Sequence, residues 1–289
     1  MMDFIIMADS ACDLPKSLIE ENNICYVGLT CLFKGKEYVE DHGDSLPYED
    51  FYKGIREGEM PSTSQVNSLT YYDLFEGYIK KNKAILYLAF SSALSGTINS
   101  ARLAKNDILD KYPNADITIL DTKSASLGYG LLVLKACKLR IDGMSKNDIS
   151  KIIEETSPKL NHIVAMDDLD YLKRGGRLSG TAATLGTILQ LKPMVKINDE
   201  GQLINYGKVK GRKKSITTLF KEFEARAIDI PSQDLIAISH SDCLKDAQLL
   251  ADMIKEKYNV KILINSIGCV IGSHTGANTI ALFFLGNSR

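Results

Sequence analysis

The chain has no CxxC pair. Its six cysteines, Cys12, Cys25, Cys31, Cys137, Cys243 and Cys269, fall in no spacing known from zinc sites, which fits free thiols in a reducing compartment and predicts a cytoplasmic protein. No phosphate loop of the GxxxxGK[ST] type, no complete GxGxxG, no HExxH and no GxSxG nucleophile elbow occurs, so the common signatures of nucleotide, zinc and serine-hydrolase chemistry are missing. The four histidines, His42, His162, His240 and His274, show no close pairing, and no metal site or cofactor is expected from them. No run approaches the roughly 20 apolar residues that cross a bilayer, and Phe4–Met7 before Asp9 is too short for the apolar region of a signal peptide. Any lipid therefore has to come to the protein, with at most transient membrane contact. An excess of one charge is absent too: 35 Lys and Arg face 36 Asp and Glu, which leaves no global field to attract nucleic acid.

What is present is an ordinary globular composition, 45% hydrophobic and 25% charged over 289 residues, enough for two compact domains. Short β-branched-rich runs recur at Phe4 to Ala8, Ile24 to Leu29, Ile85 to Phe90, Ile117 to Leu120 and Ile163 to Met166. Helical patterns separate them at Pro15 to Glu21, Tyr48 to Arg56, Ser68 to Lys81, Thr97 to Tyr112, Gly130 to Ile141 and Ser145 to Thr156. That alternation predicts an α/β fold with a doubly wound parallel sheet over residues 1–164. From 165 to 289 the texture reads as a second, α+β domain. Its expected elements are an apolar helix near Ala182 to Leu191, a strand over Met194 to Ile197, a turn at Asp199-Glu200-Gly201 and a helix over Ser215 to Ala227. A strand over Leu235 to Ser239, a helix over Ala247 to Tyr258, a strand over Val260 to Ile264 and a closing helix near Asn278 to Leu285 complete it.

Four polar segments have the chemistry to hold an anion. Ser91-Ser92-Ala93-Leu94-Ser95-Gly96-Thr97 follows a strand and opens a helix, where backbone N–H groups point outward; Gly96 permits close backbone approach and Ser92 and Ser95 add neutral donors. The alternative is that these hydroxyls are merely helix caps. Pro61-Ser62-Thr63-Ser64-Gln65 reads by itself as a capped helix start. Asp168 to Ser179 holds Gly175-Gly176 ahead of Arg177, a guanidinium able to grip a carboxylate or phosphate with a planar fork. Ile267 to Gly276 reads as a loop carrying His274.

In this order the segments resemble the DegV family. The matching pieces are Ala8-Asp9-Ser10 with Asp13-Leu14-Pro15, Thr63-Ser64-Gln65, Ser91 to Thr97, Asp168 to Arg177 and His274-Thr275-Gly276, which run nearly end to end. The resemblance implies a fatty-acid-binding protein that serves a bacterial fatty acid kinase. A long-chain fatty acid would lie between the two domains, with no catalysis by the chain itself. It further implies that Thr63, Ser95 and the backbone of Gly96 hold the carboxylate while Arg177 and His274 stand beside it, and that the acyl phosphate made by the kinase feeds phospholipid synthesis. The family's usual Thr-Asp-Ser is here Ala8-Asp9-Ser10, and Gly-Pro after the late histidine is Gly276-Ala277. The basic run Lys208 to Lys214 matches a family segment as well. Two other readings stay open on the residues alone: a serine hydrolase using Ser95 and His274, and a carrier for a small anionic metabolite without a tail.

Overall fold

The computed structural model describes residues 3–179 and 190–289. Its first half runs β1 (Phe4–Asp9), α1 (Lys16–Glu21), β2 (Ile24–Val27), β3 (Thr30–Phe33), β4 (Lys36–Val39), α2 (Tyr48–Arg56), β5 (Ser62–Ser64) and α3 (Ser68–Ile79). It continues with β6 (Ala84–Ala89), α4 (Thr97–Lys111), β7 (Ile117–Asp121), α5 (Ser126–Ile141) and α6 (Lys146–Thr156). The second half runs β8 (Leu160–Ala165), α7 (Asp170–Arg174), β9 (Leu178–Ser179), β10 (Leu191–Ile197), β11 (Leu203–Lys210), α8 (Arg212–Arg226) and β12 (Ile236–His240). It closes with α9 (Leu244–Lys257), β13 (Ile262–Ser266), α10 (Cys269–Thr275) and β14 (Ile280–Leu285).

The expected parallel sheet forms in the order β2-β1-β6-β7. Its strands are apolar on both faces because both faces are covered. Ile6, Ala8, Leu86 and Leu88 pack toward α5, whereas Met7, Ile85, Tyr87 and Ala89 pack toward α3 and α4. The second half is built on a seven-stranded mixed sheet, β13-β12-β14-β8-β10-β11-β9. Helix α5 lies against strands of both sheets, so one hydrophobic core spans the two halves: Leu86 and Leu88 share it with Val164, Val195 and Phe283. The helices α8 and α9 cover the other face of the second sheet through Phe223, Leu219 and Leu250.

The fold departs from the sequence pattern at particular places. The closing run Asn278 to Leu285 is not a helix: Ile280–Leu285 is a central strand paired with β8 and β12, buried on both faces. A short wholly apolar run has no periodicity that separates a buried strand from a helix. The strand expected at Ile163 to Met166 pairs antiparallel with β14 and β10 rather than joining the parallel sheet, and the division at 164/165 falls on its last residues. Helix α5 begins at Ser126, four residues ahead of Gly130, and includes two glycines, Gly128 and Gly130, at which a Cβ would collide with His162 and with the Cys12 carbonyl. Of the helix expected near Ala182 to Leu191, residues 182–189 lie outside the described residues, and Leu191 opens β10. The helix at 146–156 starts as read, with the Ser145 hydroxyl accepting the Asp148 N–H at 3.2 Å. The turn at Asp199-Glu200-Gly201 joins β10 to β11 with Gly201 at φ +82°, and the Gly201 carbonyl accepts the Ser91 hydroxyl at 2.8 Å.

Candidate head-group site and apolar cavity

A third, three-stranded antiparallel sheet, β4-β3-β5, has no counterpart in the sequence reading. Its strands are short and partly exposed, with polar residues such as Lys36, Glu37, Ser62 and Ser64, so they lack an alternating apolar signal. Yet this sheet places Thr63, paired in register with Cys31. The hydroxyl cluster at Ser62–Ser64 is thus a strand and not a helix start; α3 is capped instead by Asn67, whose side chain accepts the Thr70 N–H at 2.9 Å.

Ser95 and Gly96 sit in the turn after β6. The turn is stapled from both sides: the Ser95 N–H donates to the Ser91 carbonyl at 3.1 Å, and the Val66 N–H donates to the Thr97 hydroxyl at 3.1 Å. A Cβ on Gly96 would collide with Oε1 of Gln65, which itself is tied to the Ser100 hydroxyl at 3.0 Å. Glycine here lets β5 and the start of α4 approach closely.

His274 comes from the last turn of α10, a helix where the sequence pattern suggested a loop. Seven residues hold no helix by propensity; this one is anchored by buried carboxyl groups. The Gly268 N–H donates to Asp13 Oδ1 at 2.9 Å and the Val270 N–H to Glu40 Oε2 at 3.1 Å, while the Tyr52 hydroxyl donates to the Ile267 carbonyl at 2.8 Å. Burial pushes the Asp13 carboxyl up to about 8. Asp9, pushed up to about 6 by burial, accepts from the Tyr87 hydroxyl and the Phe90 N–H at 2.7 and 3.0 Å. The early Asp9 and Asp13 motifs therefore build the walls around the site. Glu40, missed in the sequence, does the same work.

At the other end of α10 the His274 Nε2 lies 2.8 Å from the Thr63 hydroxyl, whereas its Nδ1 is buried without a partner among the described residues. Burial and the adjacent Arg177 charge push its pKa down to about 4, so the imidazole is neutral at physiological pH. Arg177 is held by the Leu94 carbonyl, which accepts from Nε at 3.1 Å, and by the Gly175 carbonyl. Gly175 is small because His274 stands against it.

Thr63, Ser95, Gly96, Arg177 and His274 line one cavity of about 320 Å³, and the remaining wall is mainly apolar, with Phe90, Leu94, Val164, Met166, Val195 and Phe283. Ser92 does not join them: it is exposed, and its hydroxyl and N–H are both engaged by Asp121, at 2.6 and 3.2 Å. Ser95 and His274 do not form a nucleophile–base pair either. The histidine is bonded to Thr63, and among the described residues no carboxylate orients its second nitrogen. The basic run from Lys208 spans the end of β11 and the first turn of α8, where Arg212 is committed to Asp246 at 2.8 Å. Among the described residues no group of three His, Cys, Asp or Glu side chains gathers as metal ligands, and no helix is long and apolar enough to cross a membrane.

Neutral donors and one guanidinium at the rim of an apolar cavity suit a ligand with an anionic head and a hydrocarbon body. A DegV domain-containing protein of Clostridium perfringens is 52% identical over the whole of this chain and 99% of its own length. Two crystal structures superpose on the fold. A DegV lipid binding protein from Thermotoga maritima does so with a TM-score of 0.85 and 27% identity, covering 100% of both chains. DegV from Bacillus subtilis, described as a fatty acid binding protein, has a TM-score of 0.85 and 26% identity, covering 99% of this chain and 100% of its own. The model of a family described as uncharacterised proteins of the DegV type matches residues 3–287, and this chain belongs to the DegV family.

Proposed function

We propose that this protein binds a long-chain fatty acid, its tail in the apolar cavity and its carboxylate held by Thr63, Ser95 and the backbone of Gly96, with Arg177 and His274 alongside. The observation that carries this reading is the convergence of five polar positions from four separate segments on the rim of one apolar cavity. Burying a saturated chain yields about 0.8 kcal/mol per methylene, so roughly a dozen methylenes supply near 10 kcal/mol before ordering costs. Hydroxyls and backbone N–H groups then satisfy the desolvated carboxylate. A small anionic metabolite without a tail would leave the apolar wall unused.

The protein is further proposed to be a cytoplasmic presenter and not an enzyme, offering the carboxylate to a fatty acid kinase whose acyl phosphate product enters phospholipid synthesis. Support comes from the resemblance carried by Thr63, Ser95, Arg177 and His274, and from the lack of a nucleotide-phosphate loop in the sequence. The test is denaturing extraction of the purified protein and mass spectrometry of the released lipid. About one fatty acid per chain is expected; empty protein that also refuses added fatty acid would refute the reading.

A further inference from the structure

Three elements run past the cavity in the same order. On β14, Thr279 and Ala281 line it and then Phe283; on β8, Met166 and Val164 line it and then His162. The register pairs Ala281 with Val164 and Phe283 with His162, so these side chains form successive layers on one sheet face, ~7 Å apart. The next layer on that face, Leu285 with Leu160, borders a second hollow of about 580 Å³ instead. Helix α5 repeats the order: Ser126 borders the first cavity, whereas Leu131 and Leu132 border the second. Between them lies Gly128. A Cβ there would collide with both the His162 ring and Cδ1 of Phe283, so the two rings are seated directly on the α5 backbone. One layer of two rings therefore separates the two spaces.

That partition is rigid. Phe283 and His162 are 1% and 2% exposed, and their rings meet edge to face, with centroids 5.3 Å apart and planes at 86°. Both ring nitrogens of His162 are engaged: Nδ1 donates to the Leu160 carbonyl at 3.1 Å and Nε2 accepts from the Ala125 N–H at 3.4 Å. Swinging either ring aside breaks these contacts or drives it into α5. The layer continues sideways, because Lys196 pairs with Ile163 and so sets Ile197 beside His162, with Leu203 of β11 opposite Ile197. Ala281, with its single methyl, leaves the preceding layer open.

We propose that the Phe283–His162 layer is the stop that sets acyl-chain length: the cavity takes a chain whose terminal methyl reaches these two rings and excludes longer ones. This inference rests on fatty acid binding as proposed above and names the ligand within it by length. A methylene buried short of the layer raises affinity about fourfold. One past it has to displace packed rings, and a close-packed interior yields little. An extended chain advances ~1.2 Å per bond, so one layer corresponds to about five carbons.

The experiment offers the lipid-stripped protein an equimolar mixture of saturated fatty acids, from laurate to lignocerate on a cyclodextrin carrier, and quantifies what it retains by mass spectrometry. Retention by the unaltered protein should climb with length to one maximum and fall beyond it. In Phe283→Ala the maximum should move about five carbons toward longer chains, as the tail passes into the hollow at Leu160 and Leu285. In Ala281→Leu, which fills the preceding layer, it should move about as far toward shorter ones. A maximum that stays within one carbon in Phe283→Ala overturns the inference, as does retention by the unaltered protein that is flat or still rising at lignocerate. If Phe283→Ala does not fold, Ala281→Leu decides by the same criterion. Retention of no fatty acid at all would bring down fatty acid binding and the stop with it, whereas retention without a length maximum brings down the stop alone.

Discussion

The placement of His274 offers the sharpest test of the head-group geometry, through a residue that has no side chain. Gly175 has an ordinary right-handed backbone, φ −70° and ψ −10°, so alanine is conformationally acceptable there and its effect is steric. The new Cβ would collide with Nδ1 of His274 and lie 2.9 Å from Cε1 and 3.2 Å from the Tyr171 carbonyl. The backbone carbonyl has little room to yield, so the imidazole must rotate or α7 must move. Rotation sacrifices the 2.8 Å contact with Thr63, worth about 1 kcal/mol, and overpacking adds 1–3 kcal/mol if the helix moves instead. Gly175→Ala should therefore weaken fatty acid retention by at least two- to tenfold, measured as displacement of a fluorescent fatty acid at constant temperature. The ligand-free protein should lose little thermal stability if the ring rotates, because the core packing of Leu172 in α7 then stays as it is. Wild-type affinity in a folded Gly175→Ala protein would refute the claim that the His274–Thr63 pair positions the head group.

Removing a donor to a buried carboxylate costs on the order of 1.5–3 kcal/mol, so Thr63→Ala or Ser95→Ala should weaken retention roughly ten- to a hundredfold. Arg177→Ala should keep most bound lipid and slow kinase-dependent acyl phosphate formation, both read side by side; loss of lipid in Arg177→Ala with full retention in Ser95→Ala would invert these roles. Acidification should destabilise the ligand-free protein through His274, whose folded pKa of about 4 lies below its ordinary 6.5. A depressed base contributes stability above pH 6.5 that is lost as the pH falls toward 4. His274→Gln should consequently lose less thermal stability than wild type between pH 7 and pH 4.5, and an identical loss would count against a buried neutral imidazole.

The parallel sheet was legible in the sequence because its strands are buried on both faces, and the runs Phe4 to Ala8 and Ile85 to Phe90 show this directly as apolar stretches between helical patterns. Helices with caps or clear amphipathic spacing, such as Tyr48–Arg56 and Lys146–Thr156, were legible for the same local reason. Illegible were the small sheet that carries Thr63 and the strand Ile280–Leu285. The first has no alternating signal and is held by pairing with Thr30–Phe33; the second is so uniformly apolar that a buried strand and a buried helix read alike.

By itself the sequence determined which chemical groups are available: hydroxyls and a glycine after a strand, an arginine after paired glycines, a late histidine, and no phosphate loop or nucleophile elbow. Tertiary structure decided which of them meet. Ser92 and Ser95 are three residues apart in one motif, yet one is captured by Asp121 at the surface while the other lines the cavity. Asp13 and Glu40 do not themselves line the cavity, yet they hold the helix that delivers His274. Such roles depend on contacts between residues more than two hundred positions apart. Local spacing carries no information about them, because the chain closes these contacts only when α5 brings the two sheets onto one core.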